Sequence, residues 1–411
     1  MISFRRSSDI FRPDSGATAF FVSILVWGIG VGCFAATMNN FLSEIHDLNA
    51  VERGWLEFFR EMPGLALVFI LALLYRVSDW RIMRLGTIVS IIGVSLLMLP
   101  AGKYAVIGII MIWSLGEHLV MPVRNAIAMQ VARPENAGQS LGTLSGAMHF
   151  GHVLGSMMVA GVFWGSTRLL NITDRVVIYD SVWVMIFIML AISLVCTFAP
   201  NAPTQASRRS RLYFRRKFWK FYALELFYGA RKQIFMTFAP YVLIRVYGFD
   251  TATMALLLGV CATVNIFMAP LVGRLTDRIG YRRVMIYDTV ILFFVCLLYG
   301  FAGELFAPAL VVAVLCANFL LDSVISTSAL ATNLYAKIIS DNQSELTSTL
   351  STGISINHLI SVLAAPLGGW VWSHYGVGVL FASAAVMAVF NSLFAMSIPK
   401  TDAGAQGNSS K

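Results

Sequence analysis

Charge is what this sequence has least of. Only 12% of its 411 residues are Asp, Glu, Lys or Arg, about half the share in an ordinary soluble domain, which is roughly 25%. That scarcity excludes a disordered chain, a fibrous chain and a soluble enzyme of this size. Cysteine is scarce too. Cys33, Cys196, Cys261, Cys296 and Cys316 all fall inside apolar runs with no CxxC among them, so neither a disulfide framework nor a zinc site is expected. There is no HExxH, no phosphate-cradling glycine loop and no nucleophile–base constellation. The chain reads as a non-enzyme with no cofactor.

Apolar sequence is abundant. Hydrophobic residues make up 58% of the chain and the mean hydropathy is +0.75. A bilayer-spanning helix takes about 20 mostly apolar residues. On that rule twelve spans are expected, at 18–40, 53–75, 82–100, 104–127, 138–165, 179–199, 218–246, 252–273, 284–301, 305–336, 347–372 and 376–398. Their length favours helices over barrel strands of about ten residues. The first is too long for a cleaved signal peptide and runs on into a second span. Charges interrupt the second, fourth and seventh.

Lys and Arg set the orientation. With the N-terminus inside, 21 basic residues fall in inside segments and 5 in outside loops, the latter including Arg53. Both termini are therefore expected in the cytoplasm of a cell (inner or plasma) membrane protein. The loop at 200–217 carries six of the basic residues and two prolines. It divides the chain into a half at 1–199, a basic linker at 200–217 and a half at 218–411. The net charge of +9 then reflects topology and anionic headgroups rather than nucleic acid.

One connecting segment is distinctive: Gly273-Arg-Leu-Thr-Asp277-Arg278-Ile-Gly280-Tyr-Arg282-Arg283. It resembles the cytoplasmic signature of the major facilitator superfamily, G-x-L-x-D-R-x-G followed by two basic residues. A degenerate counterpart at Arg76–Arg81 has Tyr75 in place of the aspartate and lacks both glycines. The resemblance implies an all-α membrane protein of twelve helices in two six-helix bundles. It also implies transport by alternating access, with helices three, six, nine and twelve as outer supports, and one, four, seven and ten lining a cavity, flanked by two, five, eight and eleven. Gly273, Asp277, Arg278, Gly280, Arg282 and Arg283 then form a cytoplasmic gate. Arg124 is assigned to that gate or to binding, and Asp288 is expected to pair with the basic loop.

Ionisable groups at membrane depth are costly and mark function by default. Here they avoid the interiors of spans three, six and twelve. Candidate substrate or coupling residues are Glu57, Arg60, Glu61, Glu117, His118, His149, Arg231, Lys232, Asp322, Asn357 and His358. Glu57 and Glu61 share a helix face. Glu225 and Lys232 share another, from which Arg231 points away by about a third of a turn. His149 and His152, with His118 near, invite a metal reading, but no acidic or Cys ligand repeats at metal spacing, and packed histidines are preferred. Pro63, Pro122, Pro240, Pro270 and Pro366 lie inside spans, where a kink needs protein or cavity around it. Gly142, Gly146, Gly151 and Gly155 suggest close helix packing. The reading is a monomeric secondary transporter of a small polar solute, anionic or zwitterionic, coupled to protons through Glu61, Glu117 or Asp322. A drug or lipophile efflux pump and a non-transporting sensor are the alternatives.

Overall fold

The computed structural model describes residues 10–13, 15–133, 136–198 and 214–398. Most of the expected linker, with Arg208, Arg209 and Arg211, lies outside them. The elements are α1 (Ala17–Glu44), α2 (Ala50–Leu73), α3 (Asp79–Leu97), α4 (Lys103–Val131), α5 (Ala137–Arg168), α6 (Arg175–Cys196), α7 (Trp219–Arg245), α8 (Thr251–Ile279), α9 (Tyr281–Gly300), α10 (Pro308–Ile325), α11 (Ala329–Ile339) and α12 (Gln343–Met396). α1 to α9 correspond to the first nine expected spans. α10 continues through a 3-10 turn into α11 and makes the tenth. α12 is broken at Gly376, whose φ of 84° only glycine adopts readily, and its two arms are the eleventh and twelfth. Nine runs among the described residues are long and apolar enough to cross a membrane, one of them holding both arms of α12; α2 and α7, rich in charge, are not among the nine. All five prolines named above sit inside helices.

The described residues form two compact units. The first takes those within Met1–Asp47, Met62–Arg209 and Asp250–Thr263; the second takes those within Leu48–Glu61, Ser210–Phe249 and Val264–Lys411. α2 and α8 are thus each divided between the units.

In the first unit Trp27, Trp113 and Trp183 are buried, and Phe34 stacks on Trp113 with centroids 4.2 Å apart. Ser23 and Ser193 exchange hydroxyl-to-carbonyl hydrogen bonds of 2.9 Å, tying α1 to α6. In the second unit Phe235, Tyr299 and Phe381 cluster between α7, α9 and α12. The Tyr299 hydroxyl donates to the Ala239 carbonyl at 2.6 Å.

The turn into α12 is held by polar contacts. The Asn342 side chain accepts from the Glu345 N–H at 2.9 Å, a standard N-cap. Glu345 accepts from the Asp341 N–H at 2.7 Å. Lys217 reaches Asp341 at 2.8 Å and Glu345 at 3.4 Å. The hydrogen bond with Asp341 holds the Lys217 ammonium above its ordinary range, and the same bond with Lys217 holds the Asp341 carboxyl below its own. The lowered carboxyl contributes above the ordinary Asp value, near 3.9, and its contribution is lost as pH falls through the lower folded value. The raised ammonium contributes below the ordinary Lys value and fades as pH rises past it. Asp341→Asn is therefore expected to speed amide exchange at Asp341 and Leu346 at pH 7, and wild type below about pH 4 to approach the variant.

Candidate functional site

The charged residues gather in the second unit, and local chain chemistry explains where they point. Asn49 and Glu52 cap the start of α2 reciprocally: Asn49 accepts from the Glu52 N–H at 3.0 Å and Glu52 from the Asn49 N–H at 2.9 Å. This box starts the helix at Ala50. Arg53, expected in an outside loop, is therefore helical and 1% exposed. Its guanidinium meets Glu57, one turn on, at 2.7 Å. Arg60 donates through Nε to the other Glu57 oxygen at 2.7 Å and through Nη2 to Glu61 at 2.5 Å. Glu61 in turn meets His358 Nδ1 of α12 at 2.8 Å. Two acids and two arginines on α2 thus form one alternating chain ending on a histidine. Close backbone approach fixes α2 against α12: a Cβ on Gly54 would lie 2.4 Å from the Ala365 carbonyl oxygen.

α7 supplies two different directions about a third of a turn apart, as the spacing requires. Glu225 and Lys232 lie on one stripe, with the Glu225 carboxylate beside the Asn357 amide. Gly229, between them, lets Asn357 approach: a Cβ there would lie 3.1 Å from its Cγ. Lys232 is partly exposed. It feels the charges of Glu61 and Glu225 but forms no ion pair within 4 Å among the described residues. Arg231 is sealed at 1% exposure. It meets Asp322 of α10 at 3.4 Å and Asp288 of α9 at 3.9 Å, and its guanidinium lies 4.7 Å from the centre of the Tyr228 ring. The expectation that Asp288 serves the basic loop is corrected here. Asp288 sits on the face of α9 turned to Arg231, 3.9 Å away, and among the described residues no ion pair joins it to Arg282 or Arg283.

The other candidates belong to the first unit. In the first unit His118 is buried, its Nδ1 2.8 Å from the Ser114 carbonyl and 3.0 Å from the Ser114 hydroxyl. Glu117 is partly exposed. It shares a helix face with Arg124 but forms no ion pair with it among the described residues. Arg124 points at the Met148 sulfur at 3.6 Å. His149 is exposed. His152 packs on Gly32 of α1, and its Nε2 is buried without a partner.

The signature residues lie on helix rather than loop. α8 runs to Ile279, and Gly280, with φ 86°, is the whole connection to α9. Gly273 lies within α8. Asp277, Arg278 and Arg283 are exposed, and no ion pair joins them among the described residues. Arg282 caps the end of α12 by donating to the Met396 carbonyl at 2.5 Å.

Sequence reasoning missed Arg53 as a site residue, and the Asn49-x-x-Glu52 box was the signal for it. It also missed Tyr228 beneath Arg231. The Asn265 side chain, which donates to Ser323 at 2.7 Å, joins α8 to α10, and no charge or motif marks it.

Comparison with known proteins gives consistent results. The sequence model of the Major Facilitator Superfamily matches residues 20–348. No curated protein matches the chain. Among solved structures the fold is similar to the nucleoside transporter NupG, with a TM-score of 0.73 and 12% identity over 94% of this chain and 100% of that one. It is similar to a D-xylose–proton symporter, with a TM-score of 0.72 and 15% identity over 95% and 98%. It is also similar to a bacterial homologue of the human lysosomal transporter Spinster in an inward-facing, unoccupied conformation, with a TM-score of 0.68 and 14% identity over 94% and 96%.

Proposed function

Because the chain belongs to the major facilitator superfamily, and so is a multi-pass membrane transporter, we propose that its cargo is a small polar organic solute, anionic or zwitterionic, recognised at Lys232. One observation carries this reading. Of two adjacent cations on α7, Arg231 is enclosed with two aspartates, while Lys232 is partly exposed and forms no ion pair within 4 Å among the described residues. An ammonium held at membrane depth is costly, and an anionic group on a substrate relieves that cost. Glu225 and Asn357 on one side, and Arg60, Glu61 and His358 on the other, supply polar groups of both signs, which suits a zwitterion. Transport is secondary and proton-coupled in this reading, with residues 1–199 and 218–411 as the alternating bodies and both termini cytoplasmic.

The test is a thermal-shift screen of the purified protein against metabolite classes. A ligand that binds only the native state raises apparent stability. Anionic or zwitterionic solutes are expected to raise the melting temperature of wild type. Lys232→Gln should weaken their apparent affinity by about 10- to 100-fold, the range of one charge-assisted hydrogen bond. Stabilisation by lipophilic cations alone, or an unchanged affinity in Lys232→Gln, refutes the cargo assignment and favours the efflux alternative. Uptake into proteoliposomes that ignores both pH and protonophores refutes the coupling.

A further inference from the structure

α1 and α5 touch at glycines and part toward their starts. A Cβ on Gly32 would lie 2.7 Å from the His152 Cα, and one on Gly155 would lie 2.3 Å from the Ile29 carbonyl oxygen. Nearer the start of α5, Gly142 and Gly146 have nothing within 4 Å. The helices diverge there and leave a groove of about 620 Å³, all of it within the first unit. Phe11, Phe21 and Phe150 wall it, with Val22, Leu25 and Ala147. Its two hydroxyls are those of Thr18 and Thr143, and Thr143 donates to the Gln139 carbonyl of its own helix at 3.0 Å. The lining carries no charge, so it does not suit the polar cargo assigned to Lys232. Three phenyl rings on such a surface favour an apolar occupant over water.

One end of the groove is basic. The residues before α1 run antiparallel to those that end α4 and follow it. The Arg12 N–H donates to the Val131 carbonyl and the Arg133 N–H to the Ile10 carbonyl, each at 3.0 Å. Arg12 also donates through Nε to the Ala132 carbonyl at 2.9 Å. This strap seats Phe11 against Phe21, with centroids 5.1 Å apart, and makes Phe11 the end wall. It places an exposed Arg12 and a partly exposed Arg133 where α1 and α5 begin. From there the apolar lining runs along α1 to Leu25, about 12 Å from the helix start at 1.5 Å per residue. The complementary molecule has an anionic group at one end and an apolar chain at the other.

We propose that the groove binds one acyl chain of an anionic glycerophospholipid, whose headgroup lies on Arg12 and Arg133. Basic residues at a helix end attract anionic headgroups, and a chain lying among phenyl rings adds apolar contact that a soluble anion lacks. Occupation pins the strap, because the chain meets Phe11 and the headgroup meets Arg12 at once. The site is independent of the cargo and of proton coupling.

The test is native mass spectrometry of the delipidated full-length protein, titrated with dioleoyl phosphatidylglycerol or with dioleoyl phosphatidylcholine, whose chains are identical. Wild type is expected to bind one phosphatidylglycerol about tenfold more tightly than phosphatidylcholine, the order set by two arginines near one anionic headgroup. Gly146→Leu should fold, because its side chain enters open space. It fills the groove, and the tight binding should weaken by about tenfold or more. Arg12→Gln should bind phosphatidylglycerol about fivefold more weakly and phosphatidylcholine as wild type does. Amide exchange at Arg12 and Arg133 gives a second readout: phosphatidylglycerol should slow it in wild type and not in Gly146→Leu. Equal affinity of wild type for the two lipids, or undiminished tight binding in Gly146→Leu, overturns the proposal. Displacement of phosphatidylglycerol by tetraphenylphosphonium also overturns it, and makes the groove a site for lipophilic cargo.

Discussion

Glu57→Gln is expected to destabilise the protein by about 3–5 kcal/mol, the cost of removing one partner from a buried ion pair. Glu57 meets Arg53 at 2.7 Å, the pair being 2% exposed on each side chain, and it also bonds Arg60 through its second oxygen. Glutamine keeps the shape and loses the charge. Arg53 then loses the carboxylate it meets at 2.7 Å in surroundings that admit almost no water, while Arg60 retains Glu61. The measurement is thermal or denaturant unfolding in detergent, with the yield of monodisperse protein as a second readout. The double variant Arg53→Met with Glu57→Leu removes both charges at once. It is expected to recover most of the loss, because exchanging a whole buried pair for apolar residues is often close to neutral. A single variant as stable as wild type would show that water reaches Arg53.

Gly155→Val is expected to cost about 3 kcal/mol, at the upper end for overpacking, and to reduce the recovery of folded protein. A Cβ at Gly155 would stand 2.3 Å from the Ile29 carbonyl oxygen and 2.7 Å from the Cys33 nitrogen. Both are backbone atoms of α1, so no side chain can turn aside and the helices must part. Gly146 lies nine residues earlier on the same helix and has nothing within 4 Å. Gly146→Ala should therefore stabilise α5 by about 0.5–1 kcal/mol, the usual gain on removing a helical glycine. Opposite signs at two glycines of one helix, read by the same melting assay, separate close packing from general intolerance. Equal effects would refute the α1–α5 contact.

That pair also shows how far the sequence could be read. The run of glycines in α5 pointed to close packing, and Gly151 and Gly155 do meet α1. Nothing in the run, however, distinguishes them from Gly142 and Gly146, because the four differ only in what the neighbouring helix presents. Span count and family were legible because apolar length and the Asp277–Arg283 signature are local properties. That Arg231 and Lys232 point in different directions was legible for the same reason, since one residue along a helix turns a side chain by about 100°; that Arg231 meets Asp288 and Asp322 was not. Long-range partners were not legible. Asp288 lies five residues beyond Arg283, and proximity in sequence suggested pairing there, whereas the rotation of α9 turns it inward to Arg231. Arg53 was counted among loop cations because that count takes the ends of apolar runs as helix ends. The Asn49–Glu52 box begins α2 three residues earlier.

The division of α2 and α8 has a consequence for fragments of this protein. The polypeptide passes between the two units at 47/48, 61/62, 249/250 and 263/264 as well as at 209/210. Severing the linker would therefore remove one of five covalent crossings. Each resulting fragment would still have a helical arm folded into the unit formed mostly by the other. Two half-genes expressed together should yield a nicked but associated transporter. Either half expressed alone would display an unsheathed arm, Leu48–Glu61 or Asp250–Thr263, and be a natural client for membrane quality control.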